Sequence, residues 1–340
     1  MTRRNLTMLL AGVLAVALLG LGMWQTVPYV ELSPGPAINT LGGDTTDQGQ
    51  PILTISGART YTTDGSLDLT TVSLRDHITL FEALRGWISS REAVVPREYV
   101  IPPDQTTQQN DKQNQVDMKA SQDDATTAAL GELGLETLSV DSVTASGPSV
   151  GRLAPGDVIV SVDGTTIGSP HSLRTAVRAH RIGEQVVVAY LRHGRPGTVT
   201  ITTGHAPDEP TQSAIGIATK AHSPITVSIR LKDIGGPSAG LMFALGIIDK
   251  LGEQSLTGGK NIAGTGTIDA NGKVGAIGGI AEKMLGAKDA GATVFLAPAD
   301  NCKEAAAHKP SGLRLVRVAT LHEALAALAT LRAGGTPAPC

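Results

Sequence analysis

The stretch 224-PITVSIRLKDIGGPSAGLMFALGIIDKLG-252 decides how this chain folds. Apolar and polar residues alternate from Ile225 to Leu231, which predicts a strand with one buried face. An apolar helical pattern follows over residues 241–251 and ends at Gly252. Ser238 therefore falls in a glycine-rich turn between a strand and the first turn of a helix.

This position favours acyl-transfer chemistry at Ser238. Backbone N–H groups at the start of a helix have no partner within the helix and carry positive potential, which suits an oxyanion. A serine in this turn has donors for the oxyanion, but it still needs a general base.

Lys283 is the candidate base. In the block 278-GGIAEKMLGA-287, helical spacing places Lys283 on one face with Ile280, Met284 and Ala287. Burial on an apolar face disfavours the charged form of a lysine and lowers its pKa. The resulting neutral amine is able to deprotonate a serine.

These blocks resemble a known family. The segments 236-GPSAG-240, 264-GTG-266 and 278-GGIAEK-283 are similar to the proteolytic domain of Lon peptidases, family S16. The resemblance is greatest to the membrane-anchored, PDZ-containing Lon-like serine proteases of bacteria, whose pattern 233-DIGG-236 also fits. It implies a Ser-Lys dyad, with Ser238 as nucleophile and Lys283 as general base.

The resemblance also assigns supporting residues and a fold class. Thr265 matches a threonine that hydrogen-bonds the lysine, while Gly236 and Pro237 form the turn before the serine. Asp233 either shapes the substrate loop or caps the turn. The implied fold is an α/β (α+β) Lon-type proteolytic domain with an inserted, mainly β PDZ domain.

Composition excludes several other classes of function. The net charge of −3 and an aromatic content of 3% give no reason to expect nucleic acid as a partner. The eight histidines show no His-Glu-x-x-His spacing, and the two cysteines have no metal-binding spacing, so no metal is expected. We expect no cofactor. A disulfide between Cys302 and Cys340 is left open.

The N-terminal segment is predicted to anchor the chain in a membrane. An uncharged run from Leu6 to Trp24 follows Arg3 and Arg4, and as a helix it is about 28 Å long, close to the thickness of a bilayer core. The arginines predict a cytoplasmic N-terminus and an extracytoplasmic catalytic domain at the cell membrane. A cleaved signal peptide ending near 15-AVA-17 is the alternative.

The region before the insert is predicted to be the first half of the protease domain. Strands are expected at 52–56 and 67–72, and a helix at 80–88. The polar, Gln- and Asn-rich residues 102–117 predict a loop, with a helix opening at Met118.

The middle of the chain resembles a PDZ domain, whose fold binds an extended peptide end by strand addition. Its pattern comprises a strand at 138–143, a turn and strand over 153–164, a helix at 172–179 and two strands within 186–202. The carboxylate-binding loop is expected near Leu133, Gly134 and Leu135.

The predicted organisation has five parts. They are an Arg pair and transmembrane anchor (1–28), the first half of the protease domain (29–131), the PDZ domain (132–205), the catalytic half (206–332) and a C-terminal tail (333–340).

Two other functions stay open. The Gly-x-Ser-x-Gly pattern around Ser238 also occurs in α/β-hydrolases, which would need Asp269 or Asp300 with His308 or His322. No His-Gly-Gly-Gly motif precedes it. Alternatively, the chain is an inactive PDZ scaffold with a vestigial dyad.

The expected function is that of a serine endopeptidase that works without ATP. No G-x-x-x-x-G-K-[ST] pattern is present. The expected substrates are unfolded or flexible exported and membrane proteins, and a homo-oligomer is expected by analogy with ring-forming Lon domains.

Overall fold

The computed structural model describes residues 3–42, 49–207, 209–232 and 234–340. Eight α-helices lie in these residues: α1 (Arg3–Met23), α2 (Leu80–Ile88), α3 (Thr107–Glu132), α4 (Pro170–Arg178), α5 (Gly240–Leu251), α6 (Ile280–Asp289), α7 (Cys302–Ala307) and α8 (Leu321–Arg332).

The strands before residue 170 are β1 (Tyr29–Asn39), β2 (Leu53–Ser56), β3 (Ser66–Arg75), β4 (Ala93–Pro96), β5 (Thr137–Val143), β6 (Val158–Val162) and β7 (Thr165–Thr166). Those that follow are β8 (Gln185–Arg192), β9 (Arg195–Thr202), β10 (Gly204–His205), β11 (Ser213–Ala214), β12 (Ile217–His222), β13 (Thr226–Ile229), β14 (Asn261–Gly264), β15 (Thr267–Ile268), β16 (Val274–Gly275), β17 (Val294–Pro298) and β18 (Arg314–Val318).

A six-stranded mixed sheet organises the catalytic part of the molecule. Its order is β18-β17-β14-β3-β1-β4, with parallel pairing from β18 to β3 and antiparallel pairing from β3 to β4. Strands β1, β3 and β4 precede the PDZ region in sequence, whereas β14, β17 and β18 follow it. The two predicted halves therefore fold together as one sheet.

Helices cover both faces of this sheet, because its central strands are apolar on both sides. In β17, Val294 and Leu296 pack in the core that contains α5 and α8, while Phe295 and Ala297 pack with α6 and α7. Such two-sided burial is typical of parallel strands between helical layers. The mixed α/β class predicted for the protease domain is confirmed.

A second sheet has its own core and contains the residues predicted to form the PDZ domain. Its order is β12-β5-β6-β8-β9, with β7 paired to β6. Leu173 and Val177 of α4 pack on this sheet. Its last strand, β12, lies beyond residue 205, and the five domain boundaries stay predictions.

The predicted loop at 102–117 is wrong, because α3 begins at Thr107 rather than at Met118. A capping box nucleates it: Thr106 accepts from the Gln109 N–H, and the Gln109 side chain accepts from the Thr106 N–H. The polar composition reflects exposure of the first three turns, and burial begins at Met118.

The N-terminal segment forms helix α1, with exposed apolar side chains such as Leu10, Leu14 and Leu21. Within the described residues, no helix combines the length and apolarity that crossing a membrane requires. The predicted transmembrane helix therefore has no support from the structure.

A disulfide joins Cys302, the first residue of α7, to Cys340. The backbone N–H of Arg317 in β18 also donates to the carbonyl of Ala338. The C-terminal tail is therefore fastened to the catalytic part at two points.

Candidate active site

Ser238 lies in the loop between β13 and α5, as predicted. Gly236 has φ +86°, a left-handed conformation that favours glycine. The turn is held to α3, because the N–H of Gly236 donates to the carbonyl of Asn114 and the Ser121 hydroxyl donates to the carbonyl of Pro237. Helix α5 begins at Gly240, two residues after Ser238.

Lys283 lies on the buried face of α6, as predicted. Its side chain is 4% exposed, and Ile280, Met284 and Ala287 on the same face are fully buried. Desolvation by burial lowers the pKa of Lys283 to about 8. About a tenth of the amine is therefore neutral at pH 7, roughly 300 times the fraction for a lysine with the ordinary pKa of 10.5.

The fold brings Ser238, Lys283 and Thr265 together. Lys283 Nζ lies 2.9 Å from Ser238 Oγ and 3.2 Å from Thr265 Oγ1. Thr265 is completely buried, and its hydroxyl donates to the backbone carbonyl of Ser238 at 3.1 Å. Thr265 therefore connects the amine to the backbone of the serine loop.

Backbone donors are available beside Ser238. Among the described residues, nothing accepts a hydrogen bond from the N–H of Ser238 or of Ala239. The N–H of Gly266 donates to the carbonyl of Ser238 at 2.9 Å, and this hydrogen bond fixes the orientation of the peptide planes in the loop. This arrangement suits stabilisation of a negatively charged oxygen.

The segment before α6 is fixed by Asn301, which the sequence analysis missed. The side-chain oxygen of Asn301 accepts from the N–H of Ile277 at 2.9 Å, and its amide nitrogen donates to the carbonyl of Ile277 at 3.0 Å. The next residue, Gly278, lines the cavity at Ser238. No motif around 299-ADNC-302 signals this role in the sequence.

A cavity of about 510 Å³ opens at the Ser238–Lys283 pair. One wall is β3, from Leu69 to Leu74. Strand β14 pairs with β3 only up to Leu69, and among the described strands none pairs with this side of β3 beyond that residue. Such an unpaired edge suits an extended polypeptide.

This cavity continues into a larger one of about 1110 Å³, called the substrate groove below. The two share Met118, Ile234 and Gly278, among others. Its walls include the exposed side of α3, from Asn110 to Gln122, and residues 229–232, from the last residue of β13 onward. The site is therefore reached through a long groove rather than a closed pocket.

The remaining predicted site residues lie elsewhere. Asp233 is outside the described residues. Leu133, Gly134 and Leu135 form the C-terminal turn of α3, where their N–H groups donate to the carbonyls of residues 129, 131 and 130, respectively. Those N–H groups are engaged in ending a helix, so they are not available to a ligand carboxylate.

One of the two edge strands of the PDZ sheet is β12, which the sequence analysis did not single out; the other is β9. It is preceded by Ile215 and Gly216, whose N–H groups donate to no described residue. Gly216 has φ +69°, which turns the chain before the strand. Helix α4 contacts this region, since the Ser213 hydroxyl donates to the carbonyl of Val177.

The histidines required by the α/β-hydrolase alternative make their hydrogen bonds to residues other than Ser238. His322 is 80% exposed and lies 2.8 Å from a carboxylate oxygen of Glu132. His308 contacts the carbonyl of Glu304 on its own helix turn. The base in contact with Ser238 is Lys283.

Comparison with known proteins identifies both regions. Residues 213–329 match the sequence model of the Lon protease (S16) C-terminal proteolytic domain, and residues 108–203 match that of the PDZ domain. Lon protease 1 of Sorangium cellulosum is 41% identical over 107 residues, which cover 31% of this chain and 13% of that protein.

Other similarities are also partial. Lon protease 2 of Herpetosiphon aurantiacus is 34% identical over 124 residues, covering 32% of this chain and 15% of that protein. The crystal structure of the PDZ domain of an SdrC-like protein from Listeria monocytogenes is 22% identical, covers 24% of this chain and 85% of that one, and has a TM-score of 0.23. The chain thus matches less than a sixth of either Lon protease.

Proposed function

We propose that this chain, whose residues 213–329 are a Lon-type serine peptidase domain of family S16, hydrolyses peptide bonds with Ser238 as nucleophile and Lys283 as general base. The observation that carries the proposal is the 2.9 Å contact between Lys283 Nζ and Ser238 Oγ in a buried setting. The substrates proposed are unfolded or flexible polypeptides, because the groove that leads to the site is open and extended.

The reaction follows from the positions of the groups. Neutral Lys283 accepts the hydroxyl proton while Ser238 Oγ bonds to the scissile carbonyl carbon. The N–H groups of Ser238 and Ala239 stabilise the oxyanion. The ammonium then protonates the leaving amine as the C–N bond breaks. Water, deprotonated by the again neutral Lys283, attacks the acyl-enzyme and releases the carboxylic acid product and free Ser238.

We propose supporting roles for three further residues. Thr265 orients the amine, and Gly236 and Pro237 form the turn that exposes Ser238. For Asp233 we propose a role in shaping the substrate loop, on the basis of the sequence pattern 233-DIGG-236.

The test is labelling with a fluorophosphonate or peptide-boronate probe. We expect labelling of the wild type and none of Ser238→Ala or Lys283→Ala. The matched controls are Ser311→Ala and Lys288→Ala, which change exposed residues of the same domain and should label fully. A folded wild type that resists labelling and cleaves no peptide between pH 6 and 10 would support the inactive PDZ scaffold instead.

Independence from ATP is part of the proposal, supported by the absence of a Walker-type pattern in this sequence. Adding ATP and magnesium should leave the rate of cleavage of an unfolded substrate unchanged. A rate that rises several-fold with ATP would contradict it.

We also propose that the PDZ region binds peptide ends at β12, rather than near Leu133–Leu135. An edge strand offers backbone groups for strand addition, and the unengaged N–H groups of Ile215 and Gly216 form a site for a terminal carboxylate. Fluorescence anisotropy with a free-acid peptide and its amide would test this. Equal affinity for the two peptides would count against it.

Location outside the cytoplasm, on the cell membrane, is likewise a proposal. The Cys302–Cys340 disulfide supports an oxidising compartment, and the uncharged N-terminal run supports attachment. Protease accessibility in intact spheroplasts tests it, since a protected catalytic domain would overturn the assignment. A homo-oligomer, proposed by analogy with ring-forming Lon domains, is tested by light scattering.

A further inference from the structure

Strand β12 points from the PDZ sheet directly into the protease part. It runs from Ile217 to His222, and only residues 223–225 separate it from β13. Strand β13 pairs with β2 of the protease part, and the residues at its end, from Ile229 onward, line the substrate groove. The docking edge and the groove are therefore consecutive segments of one chain.

The chemistry of this edge fixes the direction of a bound peptide. The unengaged N–H groups of Ile215 and Gly216 lie at the beginning of β12, so a C-terminal carboxylate binds at that end. A peptide that adds antiparallel then has its preceding residues beside Ala218 to His222. Its upstream chain leaves the PDZ edge at His222.

This exit lies where the two parts of the molecule meet. His222 pairs with Thr137, and the Ser223 hydroxyl donates to the carbonyl of Leu135 at 2.9 Å. Ser169, the N-cap of α4, also lies against α3 here, because a Cβ atom at Gly131 would be 3.1 Å from the Cβ of Ser169. The upstream part of a docked polypeptide therefore emerges at the C-terminal end of α3.

Two lengths of chain indicate the size of the gap between this exit and the substrate groove. The groove reaches along α3 as far as Gln122, and the ten residues from Gln122 to Glu132 span about 15 Å of helix. The seven residues from His222 to Ile229 span at most about 23 Å when extended. An extended substrate therefore needs about five to seven residues to cross.

We propose that substrates dock at β12 by their C-terminal carboxylate and are cleaved upstream of it, with a minimum spacing set by this distance. The proposal rests on the peptidase function proposed above. With about four residues on the edge and five to seven in the crossing, docking assists cleavage only when the bond is about ten or more residues from the C-terminus. The occupant is thus an extended, free C-terminal tail.

The experiment uses the full chain and peptides that share one cleavable sequence. Tails of about 3, 6, 10, 15 and 20 residues follow the cleavable bond, and each peptide is made as a free acid and as an amide. We expect the free acid to have a KM about tenfold or more below that of the amide for tails of about ten residues and longer, with similar kcat. Shorter tails should show no difference. The same tail placed on the N-terminal side of the bond should have no effect.

Two results would overturn this proposal: no dependence on the terminal carboxylate, or the same benefit from tails of three residues. Gly216→Val, which strains the turn before β12, should remove the advantage of long free-acid tails. If this variant fails to fold, the comparison of free-acid and amide peptides with the wild-type protein still tests the proposal. Cleavage of a short, tailless peptide tests the peptidase function separately, so failure of docking and failure of catalysis give different results.

Discussion

The pair Ser238–Lys283 and the edge of β12 are built in opposite ways. At the first, the lysine is 4% exposed and contacts two hydroxyls within 3.2 Å, so the groups are arranged before any substrate arrives. At the second, the N–H groups of Ile215 and Gly216 have no acceptor among the described residues. The proposed catalytic site is therefore preorganised, whereas the proposed docking site is completed only by its ligand.

Substitutions at the two places should therefore change different quantities. A preorganised site loses rate when one group is removed, because the remaining groups cannot rearrange. A docking edge loses affinity and leaves the rate of the bound substrate unchanged. Substitutions around the Ser238–Lys283 pair test the first expectation, and the free-acid and amide peptides described above test the second.

Lys283→Met should have the largest effect. It keeps the buried volume but removes the base, and kcat/KM should fall at least ~10³-fold. The free energy of unfolding should stay equal or rise, because an amine no longer has to be buried. A fluorogenic peptide assay and thermal unfolding measure the two quantities. Lys288→Met, on the exposed side of α6, is the control, and more than a tenth of wild-type activity in Lys283→Met would contradict the assignment.

Thr265→Val should lower kcat by roughly 10- to 100-fold, because the amine loses the hydroxyl that orients it toward Ser238. Thr265→Ser retains the hydroxyl and should recover most of the rate. If valine and serine variants are equally active, Thr265 contributes only packing. The pH dependence of kcat distinguishes these cases, since the valine variant should also shift its acid limb.

Asn301→Ala should lower kcat about tenfold with little change in KM. The reason is that Ile277 loses both hydrogen bonds that hold it and the adjacent cavity wall at Gly278 in place. Asn301→Asp keeps the acceptor for the Ile277 N–H but loses the donor to its carbonyl, so its activity should be intermediate. If the loss of kcat in each variant is matched by a proportionate loss of thermal stability, Asn301 has a general structural role instead.

Glu136→Gln should have the smallest effect, and on stability rather than rate. Glu136 lies between α3 and β5, and its Oε2 has no hydrogen-bond partner in the described part of the chain. Burial raises its pKa from 4.5 to about 7. The folded chain therefore holds a proton that the unfolded chain releases between pH 4.5 and 7, so this group makes stability fall as pH rises through that window.

Above pH 7 the glutamine variant should unfold a few degrees higher than the wild type, while below pH 5 the two should be alike. Differential scanning fluorimetry from pH 4.5 to 8.5 measures the difference. A constant offset at all pH values would show that the carboxylate is not the cause.

The contact between Ser238 and Lys283 could be predicted from the sequence because its signals are local. The turn around Ser238 has a distinctive glycine pattern. The apolar residues around Lys283 recur with the period of a helix, so the burial of Lys283 could be predicted from their spacing. The resemblance to the Lon family joined the two blocks, which are 45 residues apart.

The missed features depend on contacts between distant segments or on exposure. The clamp of Asn301 on Ile277 and the bond from Ser121 to Pro237 have no sequence pattern. The N-terminal half of α3 has the sequence signal of a loop, because an exposed helix and a loop share a polar composition. The edge position of β12 has no sequence signal either, because the position of a strand within a sheet is set by topology.

The measurement that tests the central claim most directly is the pH dependence of acylation at Ser238 by an active-site probe under single-turnover conditions. Burial lowers the pKa of Lys283 to about 8, and the reaction needs its neutral form. We expect the rate to rise tenfold per pH unit below that pKa and to level off above it. A rate that is constant from pH 5 to 9 would contradict a lysine base.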